Sequence, residues 1–304
     1  MGINQAATRW PSSGSSLAVS ERRPRSALRD FWLRFRQNRL AVAAAVYLIL
    51  IHVLTLLAPL IAPFTPERID LNSVMVRFSS VYWLGTDENG RDVLSRLLFG
   101  GRVSLIVGLV SVIISILVGT LVGALGGYAG AWVDAVTMRL TDAFLAIPTF
   151  FLLLTVLTLF GTTLTNIVLV IGLTSWMSVA RIVRGDVLKI RGEEFVTAAR
   201  VIGASDARIV MRHILPQAVP SIIVSATLGV AFAILTESSL SFLGLGIQPP
   251  LPSWGNMLSA SQQYVWNAPR LAIYPGVLIL VTVLAYNTLG NALRDTLDPR
   301  LRGR

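Results

Sequence analysis

Apolar residues collect in blocks along this chain, at about 40–64, 103–127, 143–160, 164–180, 218–235 and 271–289, with the polar residues confined between them. Each block comes near the roughly 20 residues that a helix needs to cross about 30 Å of hydrocarbon. The pattern predicts an all-α integral membrane protein with six transmembrane helices. The fifth block continues as an apolar run toward Leu245. Pro148 lies inside the third block and Pro275 near the start of the sixth. In a membrane bundle, neighbouring helices can satisfy the carbonyls that such prolines free. In the second block Gly119, Gly123 and Gly127 are spaced four apart, which lets another backbone approach closely.

The polar stretches are unlike one another. Residues 1–20 are small and polar and read as a disordered tail. From 21 to 39 the chain carries Arg22, Arg23, Arg25, Arg29, Arg34, Arg36 and Arg39, with Phe31, Trp32 and Phe35 between them at helical spacing. That mixture predicts an N-terminal interfacial helix lying on an anionic leaflet of the lipid bilayer. The first span that follows is too long and starts too late for a signal peptide, so 21–64 reads as interfacial helix plus retained anchor. Residues 65–102 balance Arg68, Arg77, Arg91, Arg96 and Arg102 against Glu67, Asp70, Asp87, Glu88 and Asp92 and read as an extracytoplasmic segment. The transmembrane core is 103–290, interrupted by a basic loop at 181–217, and 291–304 is a basic tail. The loops at 161–163 and 246–269 carry no charge. Arginine therefore marks one side of the membrane, and six spans with both termini cytoplasmic satisfy the distribution.

Composition narrows the chemistry. Of 304 residues, 54% are hydrophobic and 14% charged, against about a quarter charged in soluble domains. The net charge is +10, and Lys189 is the one lysine beside 25 arginines. In so apolar a chain that excess follows from positive-inside loops, and no nucleic-acid partner is expected. With no cysteine, thiolate chemistry and disulfides are excluded. His52 lies in the first span and His213 in the basic loop, on opposite sides, so neither a catalytic acid/base pair nor a metal site is expected. His52 reads as a helix-contact or lumen residue. Lys189 is followed by Ile190, which rules out a phosphate-binding loop, and any ATP hydrolysis belongs to another polypeptide. Glu237 is the candidate for an intramembrane functional carboxylate on the translocation path; alternatively the fifth span ends at Leu235 and Glu237 meets water. A carboxylate at depth also suits a proton-coupled secondary transporter, although no inverted repeat relates the two halves. A membrane scaffold is a third reading.

The basic loop is too structured for a connection. Over 193–216, Phe195, Ala198, Ala199 and Ile202 fall at i, i+3, i+4 and i+7, an apolar stripe on a short helix. Glu193 and Glu194 stand at its start, where carboxylates complement the helix dipole, and Gly203 terminates it. Ser205 then caps a second helix that Pro216 stops. Two short helices joined by glycine make a compact knob with small residues, suited to docking in a groove of another protein.

This segment resembles the signature loop of ABC-importer permeases: Glu-Ala-Ala, three residues, Gly, nine residues, then Ile-x-Leu-Pro. Ala198, Ala199, Gly203, Leu215 and Pro216 are in register, while Thr197 and His213 depart from it. Leu84-Gly85-Thr86-Asp87-Glu88-Asn89-Gly90-Arg91-Asp92-Val93-Leu94-Ser95-Arg96 is similar to the region before the second span in C-type dipeptide and oligopeptide permeases. So are Ser241-Phe242-Leu243-Gly244-Leu245-Gly246 with Gln248-Pro249-Pro250, and Leu293-Arg294-Asp295 with Leu297-Asp298-Pro299. The resemblance spans about 27–302. It implies a membrane subunit of an importer in a bacterial cytoplasmic (inner) membrane, moving di- or oligopeptides, or within the same family glutathione or nickel. It further implies a homologous B-type permease, two ATPases carrying ATP and Mg, and an extracytoplasmic substrate-binding protein as partners. This chain itself would bind no cofactor, and Glu194, Phe195, Ala198, Ala199, Arg200, Gly203 and Ala204 would form the coupling helix that touches an ATPase.

Overall fold

Every element of the computed structural model, which describes residues 27–297, is helical apart from one isolated bridge between Thr86 and Asp92. The expected tail at 1–20, Arg22, Arg23, Arg25 and the last residues from 298 lie outside the described residues.

The chain enters through α1 (Ala27–Gln37), a helix where an interfacial one was expected, in which Trp32 stacks on Phe35 at 6.1 Å. Phe35 is buried with Ala41 and Ala292, so α1 folds back on the bundle. Asn38 caps α2 (Arg39–Leu56) by accepting from the Ala41 amide, and α3 (Ala58–Ile61) ends that segment. His52 accepts or donates across to Tyr286 at 3.1 Å, and Tyr47 to Thr282 at 2.9 Å. These polar contacts tie the first long helix to the last.

Among the described residues five helices are long and apolar enough to cross a membrane, and one bent pair would make a sixth span if its two helices count as one. The second, α4 (Val93–Tyr128), begins ten residues before the expected span at 103. Asp92 caps it by accepting from the amide and hydroxyl of Ser95, both at 2.7 Å. Arg96, expected in a polar loop, sits 5% exposed one turn in, beside Asp87 at 3.4 Å. A paired charge can enter a helix that an unpaired one would end.

The third span is corrected from one helix over 143–160 to α5 (Ala131–Ala146) and α6 (Thr149–Phe160), bent by 80°. Pro148 stands at the break and not inside a helix; it holds Ile147 extended and removes an N–H from the ladder. After it, α7 (Leu164–Arg191) runs eleven residues past the expected end at 180, carrying its arginines beyond the apolar block.

Beyond α8 (Glu194–Val201), the short α9 (Asp206–Ile209) leads through a π turn at Val210–Ile214 into α10 (Leu215–Phe242). Pro216 therefore does not stop a helix. The wider π turn relieves the clash between a proline ring and the carbonyl four residues back, and Pro216 falls in the first turn of α10. The uncharged loop 246–269 holds a further helix, α11 (Trp254–Ala260), closed by a reciprocal capping pair between Ser253 and Asn256. The last helix, α12 (Arg270–Leu297), keeps Pro275 in its first turns.

The core lies where α4, α7, α10 and α12 meet, around Leu105, Ile167, Ile171, Ile234 and Tyr286, with Trp254 of α11 fully buried in it. The glycine series in α4 makes the closest seam. Gly119, Gly123 and Gly127 lie against Trp176, Val179, Ala180, Val183 and Val187 of α7, with no room for a Cβ.

Candidate functional site

The knob grows from the end of α7. Val183, Val187 and Ile190 form an apolar platform, and Val196, Ala199, Ile209 and Ile214 pack down onto it. Gly203 leaves α8 at φ +85°, and the Gly203 and Ala204 amides return to Arg200 and Ala199 carbonyls at 3.0 Å each. Ser205 occupies the cap position of α9, but its side chain makes no capping bond.

The inward face of α8 differs from the expected stripe. Only Val196 and Ala199 are buried; Glu194, Phe195, Ala198, Arg200 and Gly203 face outward, with Ala204 half-buried. Val201 and Ile202 are 82% and 84% exposed, so the outer surface of the knob carries bulky apolar side chains that the described residues do not cover.

Polar contacts lock the knob to the bundle. The Arg191 guanidinium donates to the Gly127 and Tyr128 carbonyls at 3.2 and 3.0 Å, closing the C-terminus of α4. The Tyr128 hydroxyl donates to Asp206 and receives Arg200 at 3.4 Å; that contact raises the Arg200 pKa above its ordinary value. Arg184 and Asp134 form a two-pronged pair between α7 and α5, and Arg181 pairs with Asp142. None of these partners was marked by sequence spacing, since each joins residues at least 39 positions apart.

Glu237 does not meet water. It is fully buried inside α10, which runs past Leu235. Ser241 and Ser253 donate to one carboxylate oxygen at 2.7 and 2.9 Å, and Ser104 to the other at 3.4 Å. Ser104 in turn accepts the Trp254 amide at 3.2 Å. The cradle thus ties α4, α10 and α11 together at one end of the bundle. Gly255 belongs to it, because a Cβ there would stand 2.8 Å from Ser238 Cα. The sequence reading missed Ser104, Ser253 and Trp254; Ser253 three residues before Asn256 was the one local signal.

Two cavities follow α7 and α10. One of about 340 Å³ is lined by hydroxyls, among them Ser111, Ser115, Thr174, Ser175 and Ser225. The other, about 510 Å³, lies toward the knob and is lined by Asp186, Lys189, Gln217 and Arg294. Glu237 lines neither. Both volumes fall within the roughly 300–1,000 Å³ usual for small-molecule sites.

Comparison with known proteins agrees with this architecture. Residues 115–303 match the family described as binding-protein-dependent transport system inner membrane component, and residues 26–76 match the N-terminal TM domain of oligopeptide transport permease C. The chain is 41% identical over 280 residues to the glutathione transport system permease protein GsiD of Escherichia coli (strain UTI89 / UPEC), covering 92% of each. The GsiD of Shigella flexneri serotype 5b (strain 8401) is 42% identical over the same length and share. Among solved structures, an inward-facing conformation of the MetNI methionine ABC transporter superposes with a TM-score of 0.55 at 20% identity, covering 67% of this chain and 97% of that one. The shared helical fold, the matched core and N-terminal segment and the full-length relatives agree: the chain belongs to the family of binding-protein-dependent transport system inner membrane components.

Proposed function

We propose that this chain is the C-type membrane subunit of a peptide importer, paired with a homologous B-type permease, two ATPase subunits and an extracytoplasmic substrate-binding protein. Both termini and the knob face the cytoplasm. The observation that carries the reading is the exposed apolar surface of the knob at Val201 and Ile202, on a helix whose other face is locked to the bundle. Two adjacent bulky apolar side chains this exposed support a protein-binding face there. Glu194, Phe195, Ala198, Arg200, Gly203 and Ala204 surround them and would share the ATPase contact, while Ala199 faces the platform and sets the position of α8.

In this reading ATP and Mg stay on the partner subunits, and this chain performs no chemistry of its own. Closure of the ATPases displaces the knob, and Arg191, Tyr128 and Asp206 pass the displacement to α4. The work comes from the ATPases binding one arrangement of the knobs better than the other, because a ligand shifts an equilibrium only through such a difference. Glutathione, a modified tripeptide, joins di- and oligopeptides as a substrate to be tried, since the GsiD relatives are named for it.

Affinity purification of the tagged chain in mild detergent tests the proposal. The expected outcome is recovery of a second permease and an ATPase, with ATP-driven peptide uptake after reconstitution. Val201→Asp together with Ile202→Asp is expected to lose the ATPase and retain the second permease. Recovery of the chain alone, with uptake that follows the proton gradient and ignores ATP, overturns it.

A further inference from the structure

The two cavities are parts of one groove, because Ile182, Ser225 and Leu228 belong to the walls of both. Its chemistry changes along its length. The half in the apolar core has hydroxyl and hydrocarbon walls and no ionisable residue. The half beside the knob has one acid, Asp186, and two bases, Lys189 and Arg294.

Asp186 is set apart from the other charges of α7. Arg181 is paired with Asp142, Arg184 with Asp134, and Arg191 is spent on the α4 carbonyls. The Oδ2 atom of Asp186 is buried and has no hydrogen-bond partner. Asp186 lines the larger cavity and, among the described residues, forms no ion pair. Among the described residues, Lys189 and Arg294 form no ion pair. The mouth therefore offers an acceptor for an ammonium and two donors for a carboxylate within a cavity of about 510 Å³.

We infer that this mouth is a binding site for the two charged ends of a short peptide leaving the groove, with Asp186 taking the α-ammonium and Lys189 and Arg294 the carboxylate. The inference rests on the peptide-importer reading and adds to it the group that each residue recognises. The hydroxyl-lined half then suits the neutral middle of such a substrate, where hydroxyl oxygens that already donate to their own helix, as Ser175 and Ser225 do, still have lone pairs to accept peptide N–H groups.

The test uses the whole importer in liposomes, with the binding protein and a radiolabelled reporter (glutathione or a pool of short peptides) outside and ATP inside. Dialanine, N-acetyl-dialanine or dialanine amide is placed in the lumen, where it meets the cytoplasmic mouth without involving the binding protein. Luminal dialanine is expected to inhibit reporter uptake. N-acetyl-dialanine, which lacks the ammonium, is expected to inhibit about tenfold more weakly, the worth of one hydrogen bond to a charged group. In Asp186→Asn the two probes should inhibit equally weakly, while in Lys189→Gln with Arg294→Gln the amide and the free acid should become equivalent. A purely structural role for Asp186 would lower the uptake rate and leave the ratio of inhibition constants alone. Equal inhibition by all probes in the unaltered protein, absence of inhibition, or a ratio that survives Asp186→Asn overturns the inference; a lipid headgroup in the mouth gives the first or second result. Absence of any ATP-driven reporter uptake fails the importer reading itself and is distinguishable from each of these.

Discussion

Adding one methyl group at Gly123 tests how closely α4 and α7 are packed. An ideal Cβ there would lie 2.5 Å from the Ala180 carbonyl oxygen, 2.9 Å from Val183 Cβ and 3.0 Å from the Arg184 nitrogen. Ordinary contact begins near 3.4 Å, so α7 would have to retreat by roughly 0.9 Å at Ala180. The obstacle includes helix backbone, which cannot swing aside as a side-chain tip can. Overpacking of this kind costs about 1–3 kcal/mol. Alanine also gains up to about 1 kcal/mol over glycine in a helix, which would mask part of the loss. Gly185 removes that ambiguity: it lies in α7, and no heavy atom stands within 4 Å of its Cβ position. The propensity gain is common to Gly123→Ala and Gly185→Ala, so the difference between them is the packing cost alone. Thermal unfolding of the purified chain in mild detergent, followed by tryptophan fluorescence, should place Gly123→Ala several degrees below Gly185→Ala. Trp176 borders the same seam at Gly119 and reports on it directly. Melting of the two variants within a degree of each other would refute the close approach as a constraint.

Two further outcomes follow from the polar contacts. Glu237→Gln should keep near-normal stability and transport, because an amide oxygen can still accept from Ser241 and Ser253 while its nitrogen donates to Ser104; Glu237→Ala should lose about 2 kcal/mol or more by leaving three buried hydroxyls without their acceptor. Complete loss of transport in Glu237→Gln with an unchanged melting curve would mean that the carboxylate carries charge or protons. Tyr128→Phe removes the hydroxyl between Asp206 and Arg200, worth about 1 kcal/mol, and should speed amide hydrogen exchange across 194–209 while leaving α4 and α7 protected. Unchanged exchange in the knob would remove Tyr128 from the coupling path.

Much of this architecture was legible because a membrane imposes a length rule on apolar runs. The six blocks became five long helices and one bent pair. The knob was legible for a different reason: Gly203 demands a left-handed turn, and φ +85° is what it adopts. The glycine spacing in α4 announced a close seam, although not which helix would fill it. Helix ends were illegible, because hydropathy marks where hydrocarbon stops and not where a helix stops. Arg96 entered α4 because Asp87 is beside it, and Arg181 to Arg191 continued α7 because they face partners on α4 and α5. The face of α8 was also underdetermined. A helix of two turns offers a stripe of two buried residues, and Val196 with Ala199 met the platform while Phe195, Ala198 and Ile202 did not. Glu237 could not be placed by hydropathy, since its hydrogen-bond donors come from residues 4, 16 and 133 positions away.

The bundle's polar contacts and its voids are distributed unevenly, and that unevenness bears on how it moves. Between α4 and α7 the glycine seam leaves no space, Arg191 closes the knob end of α4, and the Glu237 cradle braces α4 against α10 and α11 at the other. A seam packed to this density transmits displacement and does not absorb it. The side of α7 that faces α10 differs: both cavities lie there, the smaller bounded also by Ser111, Val112, Ser115 and Ile116 of α4. A change in spacing there compresses empty volume, whereas the same change at the glycine seam would drive backbone into backbone. Displacement at the knob is therefore expected to carry α4 and α7 together and to be taken up on the side of α7 where the cavities lie.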